Sequence, residues 1–163
     1  MAVRNLQDLG IKLQNIMMRL VTNDELVKLL YYTDKDPLSH RNLTMEEKRK
    51  DVFHKLIKII PRVGPKETAQ SIVAMRVAKA EKDVENGEFK QITIAVESFV
   101  PLEQWLIKGD NLRPFSIMGE IENSLNRKRV AGLGEIVSLG FELNFLTDDI
   151  SCYQQVFTVV AYD

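Results

Sequence analysis

Few side chains in this sequence are of types that do chemistry, and their spacing gathers none of them into a reaction centre. Cys152 is the one cysteine, so it has no intramolecular disulfide partner. A thiol attacks only as a thiolate, which needs a base or cation beside it. The two histidines, His40 and His54, sit in no nucleophile motif. A structural zinc would need about four nitrogen or sulfur ligands, and these histidines with no cysteine pair do not supply them. Gly132-Leu133-Gly134 echoes a phosphate loop. Such a loop follows a strand and opens a helix, whereas here a helical pattern precedes the glycines and a strand pattern follows them. Gly-x-Ser-x-Gly, His-Glu-x-x-His and Gly-x-x-x-x-Gly-Lys patterns do not occur. The expectation is a protein that is not an enzyme, holds no cofactor or metal, and keeps Cys152 buried or idle in a strand.

The residues suited to contact are more numerous. Lys48-Arg49-Lys50 is followed by Lys55, Lys58, Arg62 and Lys66, and Arg127-Lys128-Arg129 forms a second basic stretch. Such cations supply the sequence-independent part of nucleic-acid affinity. Glu46, Glu47 and Asp51 interleave with the first stretch, though, and the net charge of −1 gives no general pull. A solvated or protein-binding face is therefore preferred, and a nucleic-acid-binding accessory protein using residues 48–66 stands as the rival. Trp105, Tyr31 and Tyr32 are of the types that anchor protein interfaces; Trp105 is equally suited to plug the open end of a sheet. With the Asn86-Gly87 turn, these aromatics and Lys48, Arg49, Lys50, Arg127, Lys128 and Arg129 make up the expected interface set.

The elements that must position them read as α+β. The chain has 163 residues, 45% hydrophobic and 28% charged, the balance of one ordinary globular domain over 1–163. Residues 1–60 read as mainly helical. Leu6, Leu9, Leu13, Ile16, Met17 and Leu20 recur at spacings of three and four, the stripe of an amphipathic helix. Thr22-Asn23-Asp24 offers a cap for a second helix, Glu25 to Tyr32, and Thr44 with Glu47 forms a capping box for a third, Met45 to about Ile57. Ile59 to Pro65 reads as extended, broken by two prolines.

Residues 61–163 read as sheet plus helix. The runs 71–82 and 89–100 flank Asn86-Gly87, a strong hairpin signal. Arg113-Pro114 opens a helix over 114–127, and Arg127-Lys128-Arg129 suits the negative end of its dipole. Val137, Leu139, Phe141, Leu143 and Phe145 alternate with polar residues or glycine, so 135–146 and 152–162 form a second hairpin around Thr147-Asp148-Asp149. The expected architecture is an antiparallel sheet of two hairpins with one packed helix, preceded by a helical portion. The outer strands of such a sheet leave unpaired backbone groups, and the apolar first helix is a candidate to cover a neighbour's edge. The N-terminus lacks the apolar run of a signal peptide, and no stretch approaches the ~20 apolar residues that span a bilayer. A cytoplasmic protein with no membrane partner is expected.

Leu29-Leu30-Tyr31-Tyr32 followed by Asp36-Pro37-Leu38, and later Trp105 with Arg113-Pro114-Phe115-Ser116-Ile117-Met118, resembles the small neck proteins of tailed bacteriophages, tail terminators above all. The helix with Ile121 and Leu125, Gly132-Leu133-Gly134 and two closing strands ending Phe157-Thr158-Val159-Val160 fit the same pattern. The resemblance implies a virion structural protein that caps the tail tube and joins it to the head. It implies a homo-oligomeric ring, a hexamer, with tail-tube protein and the head-side connector as partners. No specific nucleic acid is expected. The location would be the virion neck, with assembly in the host cytoplasm. Three helices before the first strand leave a head-completion, stopper or adaptor role as alternatives.

Overall fold

The computed structural model describes residues 5–59, 69–130 and 133–160. Among them the helices are α1 (Leu6–Val21), α2 (Asp24–Tyr31), α3 (Met45–Asp51) and α4 (Arg113–Leu125). The strands are β1 (Ile57–Lys58), β2 (Ile72–Lys82), β3 (Phe89–Pro101), β4 (Leu106–Ile107), β5 (Asn111–Leu112), β6 (Lys128–Arg129), β7 (Glu135–Leu146) and β8 (Ile150–Val160). The fold is α+β, as the periodicities require. One sheet runs β1-β2-β3-β8-β7-β6, and β4 with β5 makes a separate two-stranded ribbon. Both expected hairpins form, β2 with β3 and β7 with β8, and β3 joins them by pairing antiparallel with β8.

Residues directly opposite one another in an antiparallel pair share a face. Val73, Met75, Ile92, Ile94, Val96, Phe157 and Val159 therefore all point one way, and all are buried. Ile117, Ile121 and Leu125 of α4 are buried with them, and the sheet reaches up to the helix where Gln155 Nε2 donates to the Met118 carbonyl at 3.0 Å. α4 is also gripped at both ends. At its C-terminal end Arg19 Nε donates to the Ser124 carbonyl at 2.6 Å, and Asn23 Nδ2 donates to Ser124 Oγ at 2.8 Å. Asn23 at the same time caps α2, accepting from the Leu26 amide. At the N-terminal end lies Arg113, fully buried.

Among the described residues Arg113 has no ion-pair partner in contact. Its guanidinium donates to carbonyls of Gln104, Leu29, Tyr32 and Asp34, at 2.9, 2.5, 2.8 and 2.5 Å. Leu29 belongs to the last turn of α2 and Tyr32 follows it, so the cation satisfies carbonyls that a helix end leaves orphaned and sits at the negative end of its dipole. Burial pulls the Arg113 pKa below its usual value, and the Asp34 carboxylate opposes that.

Several sequence expectations need correction. The third helix stops at Asp51, not Ile57. His54 takes a positive φ of 59°, which an α-helix cannot hold, and Ile57–Lys58 pairs parallel to β2 instead. The capping box is present: Thr44 Oγ1 accepts from the Glu47 amide and Glu47 Oε2 accepts from the Thr44 amide. The hairpin around Asn86-Gly87 forms where the two runs placed it. The ladder ends at Lys82 opposite Phe89, and the intervening loop closes through the Gly87 amide on the Asp83 carbonyl, with only Gly87 of the pair at positive φ. Arg127-Lys128-Arg129 does follow the end of α4 directly: Asn126 caps the helix, Arg127 takes a φ of 58°, and Lys128–Arg129 continues as β6, paired with Glu135–Ile136. The first helix is not a free clasp, because Leu9, Ile16, Met17, Leu20 and Val21 are buried in this chain's own core. The prolines of the 59–65 stretch, Arg62, Lys66, Gly132 and the end of the return strand lie outside the described residues.

Two predictions follow from this packing. Arg113→Met should destabilise the chain by roughly 3 kcal/mol or more, because it leaves buried carbonyls without a donor. Arg113→Lys should recover little, since an ammonium is a compact point charge and cannot span the fork. Denaturant melting reads both, and a loss below about 0.5 kcal/mol, the size of a surface change, would overturn this role. The second concerns Glu47, whose carboxyl is held at about 2 against an ordinary 4.5, first by its bond from Arg41 and then by the Thr44 amide. A depressed folded pKa gives stabilisation that is complete above the unfolded value and lost as pH falls through the folded one. The Thr44 amide resonance should therefore titrate with a midpoint near 2 rather than 4.5, and Glu47→Gln should abolish that titration.

Candidate interaction surface

β7 starts as a core strand and ends as an exposed one. Ile136 is buried, but Leu139, Phe141, Leu143 and Leu146 are 61%, 56%, 51% and 59% exposed. The sequence alternation suggested one apolar face. Two irregularities change that: the register slips between Ser138 and Gly140 and again between Leu143 and Phe145. Each extra residue turns the following side chains to the opposite face. Val137 and Phe145 thus share a face with Thr158 and Cys152, while Phe141 and Leu143 share the helix-side face with Gln155 and Tyr153. The end of the strand is apolar on both sides.

On the helix side Phe141, Phe115 of α4 and Tyr153 of β8 form an open aromatic cluster, with ring centroids 5.5 to 6.1 Å apart. Trp105 closes one flank, 6.2 Å from Tyr153, and its indole N–H donates to Ser151 Oγ at 3.0 Å. Phe115 is itself 43% exposed. These rings lie in the tilted and edge-on arrangements that aromatic pairs favour. On the opposite face Phe145 meets Phe99 at 5.8 Å. Beside it Arg76 donates to Glu97 and to Gln154, and Asn144 Nδ2 donates to the same Glu97 carboxylate at 3.0 Å. Cys152 lies under this network, and burial pushes its thiol up to about 12, so it is not a thiolate near neutral pH.

The outer edge of β7 is also open. β6 covers only Glu135 and Ile136, and the Ser138 amide donates to Asn126 Oδ1 at 2.9 Å. From Leu139 to Leu146 no further strand among the described residues lies alongside. An exposed apolar edge of this length is a template for pairing with another chain, and an apolar patch of this kind marks an interaction site.

The expected interface residues do not converge on this surface. Trp105 alone borders it. Tyr31 and Tyr32 contact each other edge to face at the end of α2, and Tyr32 stacks on His40 with centroids 4.1 Å apart. Lys48 is not a surface cation: its side chain is 5% exposed, with Nζ 2.6 Å from Asp24 Oδ1. That ion pair removes it from any basic face and leaves Arg49 and Lys50 exposed on α3. Asn86 and Gly87 lie exposed at the tip of the β2–β3 hairpin. Arg127, just before β6, and Lys128 and Arg129 within it are all exposed, Arg127 reaching Glu135 at 3.4 Å. Sequence reasoning missed the β7 surface, because bulges leave no mark in a hydropathy pattern. Five large apolar residues in the eight from Leu139 to Leu146 were the signal available.

A family model described as YomW matches residues 23–159, and the chain belongs to that family. The family name is of the Bacillus prophage type, which points to a phage-derived protein. No curated protein matches the chain. Among the described residues no helix is long and apolar enough to cross a membrane.

If the end of β7 is a contact surface rather than core, polar substitutions there will leave the fold intact. Leu139→Ser and Leu143→Ser should each change stability by less than about 0.5 kcal/mol while lowering the binding of a hydrophobic dye such as ANS. Melting that drops as for a core deletion, roughly 2–5 kcal/mol, would place these leucines in the core instead.

Proposed function

We propose that this member of the YomW family is a virion structural protein of a tailed phage, a tail terminator that closes the tail tube and joins it to the head-side connector as a ring of six copies. One observation carries the assembly part of this reading: β7 ends in an unpaired edge that is apolar on both faces. A monomer left alone would hold that edge in water, where it invites association. The phage-type family name and the resemblance of Trp105 and Arg113-Pro114-Phe115 to neck proteins supply the context. In this reading the chain works by self-association and has no turnover, and it resides in the virion neck after assembling in the host cytoplasm. Tail-tube protein and connector are its partners, and a stopper or adaptor role would differ only in which of them it meets.

Mass photometry and negative-stain imaging of the purified chain test the reading, with a closed ring expected at micromolar concentration. Added to growing tail tubes, the chain should cap one end and stop lengthening. A chain that binds the connector but not tubes is a stopper or adaptor. A monomer at every concentration with steeply salt-dependent DNA affinity would replace the proposal by the nucleic-acid reading, for which Arg49, Lys50 and Lys55 would be the residues to reverse.

A further inference from the structure

We infer that the open edge of β7 pairs, antiparallel, with the outer edge of β2 in a second copy of this chain, so that successive sheets join head to tail. The inference deepens the self-association part of the proposed function and is independent of the neck role.

The argument begins with the second edge. β1 covers β2 only at Val73 and Ala74. From Met75 to Lys82 no other strand among the described residues lies on the outer side of β2. The sheet therefore has two open edges, on its two opposite margins. β2, β3, β8 and β7 alternate in direction, each antiparallel to the next. β2 and β7 consequently run in opposite directions. A copy related by rotation about an axis running broadly along the strands brings its β2 antiparallel to β7, the arrangement hairpin-built sheets already use. A heterologous contact of this kind closes into a ring when the rotation closes.

Charge favours this occupant over a two-fold pairing of β7 with itself. From Glu135 to Val160 the β7–β8 hairpin carries Glu135, Glu142, Asp148 and Asp149 and no Lys, Arg or His. Glu142 and Leu143 flank the midpoint of the open edge, so a two-fold axis there would set two copies of Glu142 almost against each other, and like charges across a strand pair are destabilising. The open half of β2 carries Lys79, paired with Glu81 at 2.7 Å, then Lys82, and Arg76, which donates to Glu97 and Gln154 within its own sheet, so its balance of charge is positive. Its cations meet an all-acidic hairpin.

The covered ends set the register. β6 blocks β7 at the end of the sheet level with Ala80 and Ile92, whereas β1 blocks β2 at the other end, level with Leu143 and Tyr153. The open halves are thus offset along the strands. Neighbouring sheets must slip past one another to pair, and a stagger of that kind is what a closed ring of tilted strands requires.

Variants with one added cysteine test the pairing, with Cys152 as a silent background because it is buried. Glu142→Cys and Lys79→Cys are both at exposed positions, and circular dichroism checks that each variant remains folded. Under mild oxidation, an equimolar mixture of the two should give covalent dimers in severalfold excess over either variant alone. Dimers from Glu142→Cys alone would replace the inference by a two-fold β7 contact. Oligomers by mass photometry without any cross-link would overturn the two-edge pairing and leave self-association standing. A monomer at all concentrations would overturn both.

Discussion

The packing of this fold depends on one buried guanidinium. Arg113 stands at the start of α4 and holds carbonyls from the end of α2, from Asp34 beyond it, and from Gln104 just after β3. Those three stretches come from the helical portion, the loop leaving it and the end of a central strand. No apolar contact could hold them in the same way, because the carbonyls would remain unpaired and buried. An arginine suits the place because its five donors are fixed in a plane and can serve several acceptors at once. Once Arg113 is seated, α4 lies over the sheet in a fixed direction, and Phe115, two residues on, is delivered to the open aromatic cluster with Phe141 and Tyr153. The core anchor and the candidate surface are two ends of the same helical turn.

Much of the fold could be read from residue pattern. Alternation located β3 and β8, the threes and fours of Leu9, Ile16 and Leu20 located α1, and Thr44 with Glu47 marked the start of α3. What escaped was decided by contacts between residues distant in sequence. Nothing near Lys48 shows that Asp24 will neutralise it. Nothing near Arg113 shows that it will be buried; as the first residue of a helix before a proline it reads as a solvated cation. The end of the third helix was missed for a local reason: Phe53, Leu56 and Ile57 fit a helical stripe, yet the chain turns at His54 so that Ile57 can pair with β2.

The surface was partly legible. The aromatic content of the second half was plain, and Trp105, read either as an interface anchor or as a plug, packs beside Tyr153. The sequence pattern implied that Leu139 to Phe145 would line one buried face. Two bulges spread them over two faces instead, and the strand extends past the reach of α4. Hydropathy records how apolar a strand is, but the ladder register decides which way its side chains point.

The position of β8 has a consequence for how the chain is made. Among the described residues β8 follows every other strand in sequence, yet it sits between β3 and β7 in the middle of the sheet. While the chain is still being synthesised, β3 has β2 on one side and nothing on the other, and β7 has no long partner at all. The nascent protein therefore passes through a stage in which the backbone groups of its most apolar strands are open to other nascent chains on the same message. Closure comes only when Ile150 to Val160 inserts, a step made of pairings such as Ile94 with Phe157, whose residues lie far apart along the chain and find each other slowly. A nascent chain held in this stage is a natural client for a chaperone that shields strand edges.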